Sequence, residues 1–301
     1  MVQEPRSQRH CGANYFHLDT PLLQHVVCWQ NIPLNTHYCF NSVVCFYNRE
    51  YCMRSLVTLI MIGLLASVFP ANADKSRVRT LLNEIDDMWR GQSSYAITTM
   101  QVKTRHYTRS MKLEGWSKGK EKTLFRIIEP LREKGTATLK SANHIYTYLP
   151  KTDRTIKLTS GMMMGSWMGS HLTNDDLVKE ARLEEDYDAT ISFEGVRDGQ
   201  DIMEFTLIPK IDAAVVWGKL QLIILADSHI PVVEYYYDED MLLARTISFS
   251  AIKTLGGRQR PSVLRVVPAD KPDEYTEFVY EQLTFDLDLS DSLFSLSSLR
   301  K

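Results

Sequence analysis

The sequence predicts an α+β fold in which a long, mostly antiparallel β-sheet curves around a few helices. Stretches that alternate apolar and polar residues follow one another through most of the chain, and short polar turns separate them. This arrangement is typical of an antiparallel meander. One amphipathic helix precedes the meander, and one segment rich in Met and Gly interrupts it. Because a long meander must cover its edges and its apolar face, we expect the sheet to wrap around these helices and to leave an apolar interior open at one side.

The first element is an amphipathic helix predicted over Ser76–Arg90. Its apolar residues recur at helical spacing, and Gly91 follows as a stop signal. These apolar residues are Val78, Leu81, Leu82, Ile85, Met88 and Trp89. Since nearly all of the sequence that follows indicates strands, we expect this apolar stripe to pack on the inner face of the sheet.

The strands follow in order and are joined by short turns such as Ser117–Lys120 and Arg197–Gln200. The predicted strands are Tyr95–Tyr107, Arg109–Ser117, Lys122–Ile128, Lys134–Lys140, His144–Leu149, Arg154–Thr159, Tyr187–Val196, Asp201–Pro209, Val215–Ala226, Pro231–Asp238, Met241–Ile252, Ser262–Val267 and Glu274–Leu283. A short helix is expected to begin at Asn174. A final one is expected over Ser290–Leu299, with Ser290 as its cap.

The interruption between Ser160 and Leu177 fits neither a strand nor an ordinary surface loop. Its glycines break any long helix, each at a cost of up to ~1 kcal/mol relative to Ala. The large apolar side chains of this segment are Met162, Met163, Met164, Trp167 and Met168. Flexible thioethers suit a surface that accepts apolar ligands of varying shape. The alternative is a core plug between sheet and helix, and the residue types taken alone favour the plug.

Composition is that of a globular protein, and no enzyme signature stands out. The chain has 301 residues, a net charge of −2 and 44% hydrophobic residues, so no charge excess indicates nucleic acid as a partner. No metalloprotease, nucleophile-elbow or phosphate-loop motif is present. The pairs Asp175/Asp176 and Asp186/Asp188 are conceivable hydrolytic carboxylates. Helix capping and solvated turns explain them more simply, so we expect no enzyme, no cofactor and no metal.

A secretory signal peptide is predicted over residues 53–73, with cleavage before Asp74. It has one positive charge at Arg54, an apolar core and an A-x-A site that ends at Ala73. The alternative is a transmembrane anchor, but the apolar run is shorter than the ~20 residues needed to span a bilayer. We therefore expect a periplasmic protein whose single domain spans residues 74–301.

Residues 1–52 precede this signal and hold all five Cys. They show no clear apolar periodicity, so the preferred interpretation is an upstream extension from a start codon assigned too early, with Met53 as the true first residue. The alternative is a Cys/His metal site built, for instance, from His25, Cys28, His37 and Cys39. Their spacing does not match the paired ligands of common zinc sites.

Three motifs follow one another in the middle of the chain. K-G-T-A-T-L-K at Lys134–Lys140 is followed by I-Y-T-Y-L-P-K-T from Ile145. G-S-W-M-G-S from Gly165 then leads into the Asn174-Asp-Asp-Leu turn. Their order resembles the LolA-like outer-membrane lipoprotein-sorting proteins, in particular a longer and mostly uncharacterised periplasmic branch. The resemblance covers most of residues 74–301. It implies an incomplete, half-open β-barrel of the LolA/LolB type, wrapped over an N-terminal helix and a helical lid that covers a hydrophobic cavity.

The resemblance also implies a carrier that moves acylated lipoproteins or other lipids across the periplasm towards the outer membrane. Its implied partners are acyl chains and an inner-membrane transporter, and we expect a monomer. The lipoprotein chaperone of the family holds its lid with an Arg, and no residue here is assigned that role from sequence. The alternative function is a non-enzymatic docking or accessory module of a membrane transporter with a solid core.

Candidate cavity and lid residues are the large apolar side chains of the strands, the first helix and the Met-rich segment. They are Met88, Trp89, Phe125, Ile127, Tyr146, Tyr148, Met162, Met163, Met164, Trp167, Met168, Phe193, Phe205, Trp217 and Phe249, with Tyr235 and Phe278 as further wall candidates. Each taken singly is more typical of ordinary core. Only the set, together with the Met-rich segment, favours a cavity.

Overall fold

The computed structural model describes residues 69–179 and 182–300, with side chains from Asp74 onward. The upstream extension and nearly all of the predicted signal peptide therefore lie outside the described residues. The chain enters the described part through helix α1, Phe69–Asp86. Within residues 69–179 and 182–300, no helix combines the length and the apolar character that crossing a membrane requires.

Helix α1 ends at Asp86, four residues before the predicted end at Arg90, and it begins before the predicted Ser76. Side chains elsewhere in the fold take the carbonyl groups that a longer helix would use. The Arg260 guanidinium donates to the carbonyl of Met88, and the Ser94 hydroxyl donates to the carbonyl of Trp89. The residues after Asp86 therefore form a turn that points Trp89 at the sheet.

In the part of the chain that the structure describes, thirteen strands form one antiparallel sheet. Its strands are β1 Ser93–Lys103, β2 Thr108–Lys118, β3 Lys122–Glu129, β4 Ala137–Ser141, β5 His144–Leu149, β6 Arg154–Lys157, β7 Tyr187–Arg197, β8 Gln200–Pro209, β9 Lys219–Leu225, β10 Pro231–Tyr237, β11 Leu243–Leu255, β12 Arg258–Pro268 and β13 Tyr275–Phe285. Their order is β6-β5-β4-β3-β2-β1-β13-β12-β11-β10-β9-β8-β7. The first and last strands pair, whereas β6 and β7 remain edges, so the sheet does not close. The predicted mostly antiparallel, unclosed sheet with few helices is confirmed.

Several predicted strand boundaries are wrong, and four of them have a local reason. β1 ends at Lys103 instead of Tyr107, because the amide of Thr104 donates to the carbonyl of Tyr107 in a turn. β4 begins at Ala137 instead of Lys134, because the amide of Lys134 donates to Pro130 in a turn. β9 begins at Lys219, so the residues from Val215 onward belong to a loop. β12 extends well beyond Ser262–Val267, because the tight Gly256-Gly257 turn lets β11 and β12 pair up to their ends.

The C-terminal residues cover the outer face of the sheet. The predicted final helix is instead two short 3₁₀ turns, Asp291–Phe294 and Ser298–Arg300. Ser290 caps the first turn as predicted, since its hydroxyl accepts from the amide of Ser292. Phe294 and Leu299 pack in one cluster with Leu124 of β3 and Leu139 of β4. The apolar side chains on this face therefore belong to a core of their own.

Two elements cover the inner face. Helix α1 buries Leu82 and Ile85 against Phe205 of β8 and Leu222 of β9. The connecting segment, residues 158–186 between β6 and β7, contains two short helices, α2 Asn174–Lys179 and α3 Leu183–Asp186. Its Trp167, Leu177 and Val178 pack in one cluster with side chains of β1, β2, β3 and β5. Each fully buried apolar side chain of this size contributes about 1.5–3 kcal/mol.

Candidate functional site

An apolar cavity lies between the inner face of the sheet, the C-terminal end of α1 and the connecting segment. Its volume is about 260 Å³, larger than the ~150 Å³ apolar cavity that admits benzene in an engineered protein. Strands β1–β3, β7 and β9–β13 each supply at least one lining side chain. The connecting segment supplies seven, among them Trp167, Leu172 and Leu177. The cavity is thus enclosed by three separate parts of the chain.

One aromatic group lines the cavity at the end of α1. The indole of Trp89 stacks on Phe249 of β11 with ring centroids 5.5 Å apart, and on Tyr280 of β13 at 6.5 Å. All three residues contact the cavity. Because Trp89 lies in the turn after α1, the early end of the helix is what brings this indole over the sheet.

A second aromatic group lines the cavity under the connecting segment. Trp167, only 3% exposed, lies 5.1 Å from Phe125 of β3 and 6.3 Å from Phe278 of β13. Its indole N–H donates to the Thr138 hydroxyl at 3.2 Å. Gly115 stands opposite Phe125, and a Cβ there would lie 3.0 Å from the ring. Glycine at this position therefore leaves room for the aromatic wall.

The cavity is polar at one end, where a buried ion pair joins the sheet to the connecting segment. The guanidinium of Arg245 on β11 donates to both carboxylate oxygens of Asp176 on α2, at 2.7 and 2.8 Å. The Arg245 side chain is 7% exposed. Its guanidinium carbon lies 4.6 Å from the ring centroid of Trp217 and 4.2 Å from that of Tyr236. This bidentate ion pair, flanked by the rings of Trp217 and Tyr236, fixes the position of α2 over the sheet.

Asp176 is held in place by its own helix as well. The amide of Thr173 donates to Asp176 at 2.8 Å, and the amide of Asp176 donates to the Thr173 hydroxyl at 3.2 Å. This reciprocal arrangement is a capping box at the start of α2. Burial opposes ionisation of Asp176, but the Arg245 charge and these hydrogen bonds outweigh it and hold the pKa of the carboxyl below its ordinary value.

A second carboxylate lies beside this ion pair on β10. The Tyr236 hydroxyl donates to Glu234 at 2.7 Å, and both residues face the cavity. Burial raises the pKa of Glu234, which the Tyr236 hydrogen bond and the Arg245 charge oppose. Arg245 therefore pairs directly with Asp176, and its charge also favours the ionised form of the half-buried Glu234.

Asp86 forms another polar contact between α1 and the connecting segment. Its carboxylate accepts from the amide of Leu183 at 3.1 Å, and the Lys120 ammonium lies 3.9 Å away. Burial raises the pKa of Asp86 to about 7, and Lys120 only partly offsets this effect. The carboxyl is thus ionised or neutral depending on pH near neutrality.

The middle of the connecting segment is tied to the sheet by hydrogen bonds. Arg109 of β2 donates to the carbonyl of Met168 at 3.0 Å and forms an ion pair with Glu133. The His171 ring lies 2.9 Å from the Thr276 hydroxyl and 3.3 Å from Glu274. These contacts hold the segment along its length, between the Trp167 and Asp176 attachments.

Five of the sequence-predicted site residues line the cavity. They are Trp89, Phe125, Trp167, Trp217 and Phe249. The further wall candidate Phe278 lines it too, but Tyr235 does not, and its neighbour Tyr236 does. Alternation along β10 explains the difference, because Tyr236 lies on the same face as Glu234 and opposite Arg245.

The other predicted site residues lie outside the cavity lining. Ile127 and Phe205 are fully buried in core clusters, and Tyr146 and Tyr148 lie with the outer-face cluster. Met163 and Met168 pack beside the core, whereas Met162 and Met164 are exposed. Phe193 lies under the guanidinium of Arg197, and Met88 is half-buried in the turn after α1.

The exposure of Met162 and Met164 has a local cause. The side-chain amide of Asn174 donates to the carbonyls of Met162 and Gly165, and the backbone N–H of Asn174 also donates to the carbonyl of Gly165. These bonds fold the Met-rich residues into a compact loop with its own polar centre. Met163 turns towards the core, and its two neighbours face solvent.

Sequence reasoning missed the residues of the polar end. Asp176 was interpreted as a capping residue, which it is, but its pairing with Arg245 was not predicted. One signal was available, because Arg245 is in phase with Ile247 and Phe249 on β11. A charged residue at an inward position of a strand requires a buried partner.

No group of three or more His, Cys, Asp or Glu that could hold a metal ion occurs among residues 69–179 and 182–300. The Cys/His alternative, with His25, Cys28, His37 and Cys39, lies outside the described residues.

A family model described as "uncharacterized protein" matches residues 119–301, more than half of the chain. None of the curated proteins compared with the sequence matches it significantly.

Three solved structures share the fold. A DUF1329 family protein from Desulfovibrio piger is 21% identical with a TM-score of 0.65, covering 75% of this chain and 99% of that one. A putative outer membrane lipoprotein-sorting protein domain from Vibrio parahaemolyticus is 21% identical with a TM-score of 0.62, and the match covers 73% of this chain and 97% of that one. A LolA superfamily protein from Nitrosomonas europaea is 21% identical with a TM-score of 0.61, and the match again covers 73% of this chain and 97% of that one. The resemblance indicated by the three motifs is therefore confirmed: the chain belongs to the family that the matching model describes, and its fold is that of the LolA superfamily.

Proposed function

We propose that the protein is a periplasmic carrier that binds acyl chains of lipoproteins or other lipids in this cavity and transfers them towards the outer membrane. The observation that carries the proposal is the cavity, an apolar space inside an unclosed sheet. The names of two structural relatives, lipoprotein sorting and LolA superfamily, support the same class of function. The signal peptide predicted over residues 53–73 supports the compartment.

The size of the cavity implies that the connecting segment moves when cargo enters. A space of about 260 Å³ lies just below the ~300–1,000 Å³ typical of ligand pockets, so it admits only part of a long acyl chain. Outward movement of the part of this segment around α2 would extend the cavity, because Leu172, Asp176 and Leu177 line it. In this proposal the connecting segment acts as the lid.

The ion pair between Arg245 and Asp176 is the proposed latch of this lid. When the lid opens, both ions return to water, and a buried pair of this kind adds little net stability over an apolar pair of similar volume, so it separates at low net cost. Burial of each CH₂ group stabilises the loaded state by about 0.8 kcal/mol. Long acyl chains would therefore hold the lid open more effectively than short-chain solutes.

The carrier needs no catalytic group, and the cavity favours it over the alternative of a docking module with a solid core. The Trp167 side chain fits both interpretations in part, since it is buried among core residues and also lines the cavity. What distinguishes the two is whether the cavity fills with lipid.

Native mass spectrometry of protein expressed from the full-length sequence in membrane-containing cells, followed by lipid extraction, tests the proposal. We expect a stoichiometric acyl-lipid adduct, and its mass would identify the cargo class. A ligand-free mass that persists after incubation with phospholipid and with an acylated peptide would contradict the carrier function.

A matched pair of variants ties the adduct to the cavity. Leu264→Trp enlarges a half-buried side chain of the cavity wall, whereas Ile252→Trp makes a comparable enlargement at an exposed position on neighbouring β11. We expect the first variant to lose most of the bound lipid and the second to retain it. Equal loading of both would place the lipid elsewhere on the protein.

A further inference from the structure

The turn between β10 and β11 presents large apolar side chains to solvent. Met241, Leu242 and Leu243 are consecutive, and they are 52%, 64% and 40% exposed. Single exposed apolar residues are common on protein surfaces, but a run of three at the tip of a turn is not. This apolar tip, residues 241–243, lies outside the cavity.

The apolar tip is held rigidly. The Asp238 carboxylate accepts from the amides of Asp240 at 3.0 Å and Leu242 at 2.9 Å, and the amide of Asp238 donates to the carbonyl of Leu242 at 3.0 Å. Met241 adopts a left-handed backbone with a φ of 61°. A side chain other than Gly is disfavoured there by about 1–2 kcal/mol. The fold therefore maintains the exposure of the tip at the expense of local strain.

The neighbouring loop packs closely against the base of this turn. Gly218, at the end of the β8–β9 loop, donates to the carbonyl of Tyr237, and a Cβ at this position would lie 2.4 Å from the carbonyl of Asp238. Glycine at this position therefore allows the two loops to meet and supports the position of the apolar tip.

The charge around the tip decides what it can contact. Asp238, Glu239 and Asp240 immediately precede the apolar residues, and Glu239 and Asp240 are exposed. An anionic bilayer would repel these carboxylates, so the chemistry favours a protein surface that offers Lys or Arg around an apolar pocket. We propose that residues 238–243 are a docking site for a partner protein with a basic, apolar recognition surface.

The position of this docking site gives it a consequence for the cavity. Tyr236 and Arg245 lie on either side of the turn along the chain, and both form the polar end of the cavity. A protein bound to the apolar tip would therefore stand next to the ion pair between Arg245 and Asp176. The docking surface itself does not depend on the nature of the cargo.

Binding to three defined probes tests the proposal. The probes are a labelled amphipathic peptide of Leu and Lys, a matched peptide of Leu and Glu, and vesicles of phosphatidylethanolamine and phosphatidylglycerol. We expect the Leu/Lys peptide to bind the full chain, and salt to weaken it. Met241→Ser/Leu242→Ser should reduce its affinity at least about tenfold, because two apolar anchors are lost.

Leu131→Ser is the matched control, since Leu131 is 85% exposed but is followed by Arg132 on the β3–β4 loop. It should leave the affinity of the Leu/Lys peptide unchanged. Equal binding of both peptides, an affinity unaffected by Met241→Ser/Leu242→Ser, or vesicle binding that requires these two residues would overturn the proposal. Native mass spectrometry of the double variant should show the same lipid as the wild type, which separates failure of docking from failure of the carrier function.

Discussion

Two contacts attach the connecting segment to the sheet by different chemistry. At the first, Trp167 lies in an aromatic cluster with Phe125 and Phe278, and a single neutral hydrogen bond orients it. At the second, Asp176 is held by the guanidinium of Arg245. Apolar burial stabilises the fold outright, whereas a buried ion pair adds little net stability over an apolar pair of similar volume. The comparison indicates a permanent anchor at Trp167 and a releasable contact at Asp176.

Removing the charge on the sheet should have the largest effect. Arg245→Ala leaves the Asp176 carboxylate buried without its cation, so we expect the free energy of unfolding to fall by about 3–5 kcal/mol in urea denaturation. Arg265→Ala is the control, because Arg265 forms a half-exposed pair with Glu277 and should cost no more than about 1 kcal/mol. A similar loss of unfolding free energy in both variants would mean that the buried ion pair contributes no more to stability than a surface one.

The next largest effect should appear as a pH dependence. The pKa of Asp86 rises from 3.8 to about 7 on folding, so the unfolded chain ionises this carboxyl more readily. The stability that comes from the neutral carboxyl is therefore complete below about pH 4 and is lost as the pH rises towards 7. The loss should amount to about 2–4 kcal/mol.

Asp86→Asn should remove this dependence, because an amide still accepts from Leu183 and does not ionise. The free energy of unfolding, measured by urea denaturation between pH 4 and 8, should depend less on pH in the variant than in the wild type. At pH 8 the variant should be more stable than the wild type. A variant that keeps the wild-type slope over this range would assign the effect to another group.

A smaller change is expected at the apolar anchor. Trp167→Phe removes the hydrogen bond to Thr138 and part of the buried ring, so we expect a loss of about 1–2 kcal/mol. Lipid loading should persist, because the cavity becomes larger. Trp116→Phe, on the outer face beside Arg126, is the matched control and should leave loading unchanged. Loss of loading in Trp167→Phe alone would show that the indole contacts the cargo directly.

The smallest effect is expected at the cap of α2. Thr173→Ala removes one half of the capping box that orients Asp176, which typically costs about 1 kcal/mol. If the box serves the ion pair, combining Thr173→Ala with Arg245→Ala should cost less than the sum of the two single variants. Strict additivity in urea denaturation would show that the cap and the ion pair act independently.

The antiparallel sheet could be predicted from the sequence, because apolar and polar residues alternate along its strands and the turns between them are short. The resemblance added the expectation of a cavity, and Trp89, Trp167 and Phe249 do line one. The partner of Arg245 lies 69 residues away, and no local pattern encodes a contact of that range. Met162 and Met164 show a second limit, because residue type alone does not reveal that Asn174 folds their loop back and leaves them exposed.

Pairing of β1 with β13 has a consequence for how the protein acquires its cavity. Strands β1–β6 and β7–β13 are two runs of neighbouring hairpins, and each run is able to form from local contacts. The two runs join only where the first strand meets the last. The wall that carries Phe278 and Tyr280 is therefore completed only when β13 joins β1, after the other twelve strands of the described part of the chain have been synthesised.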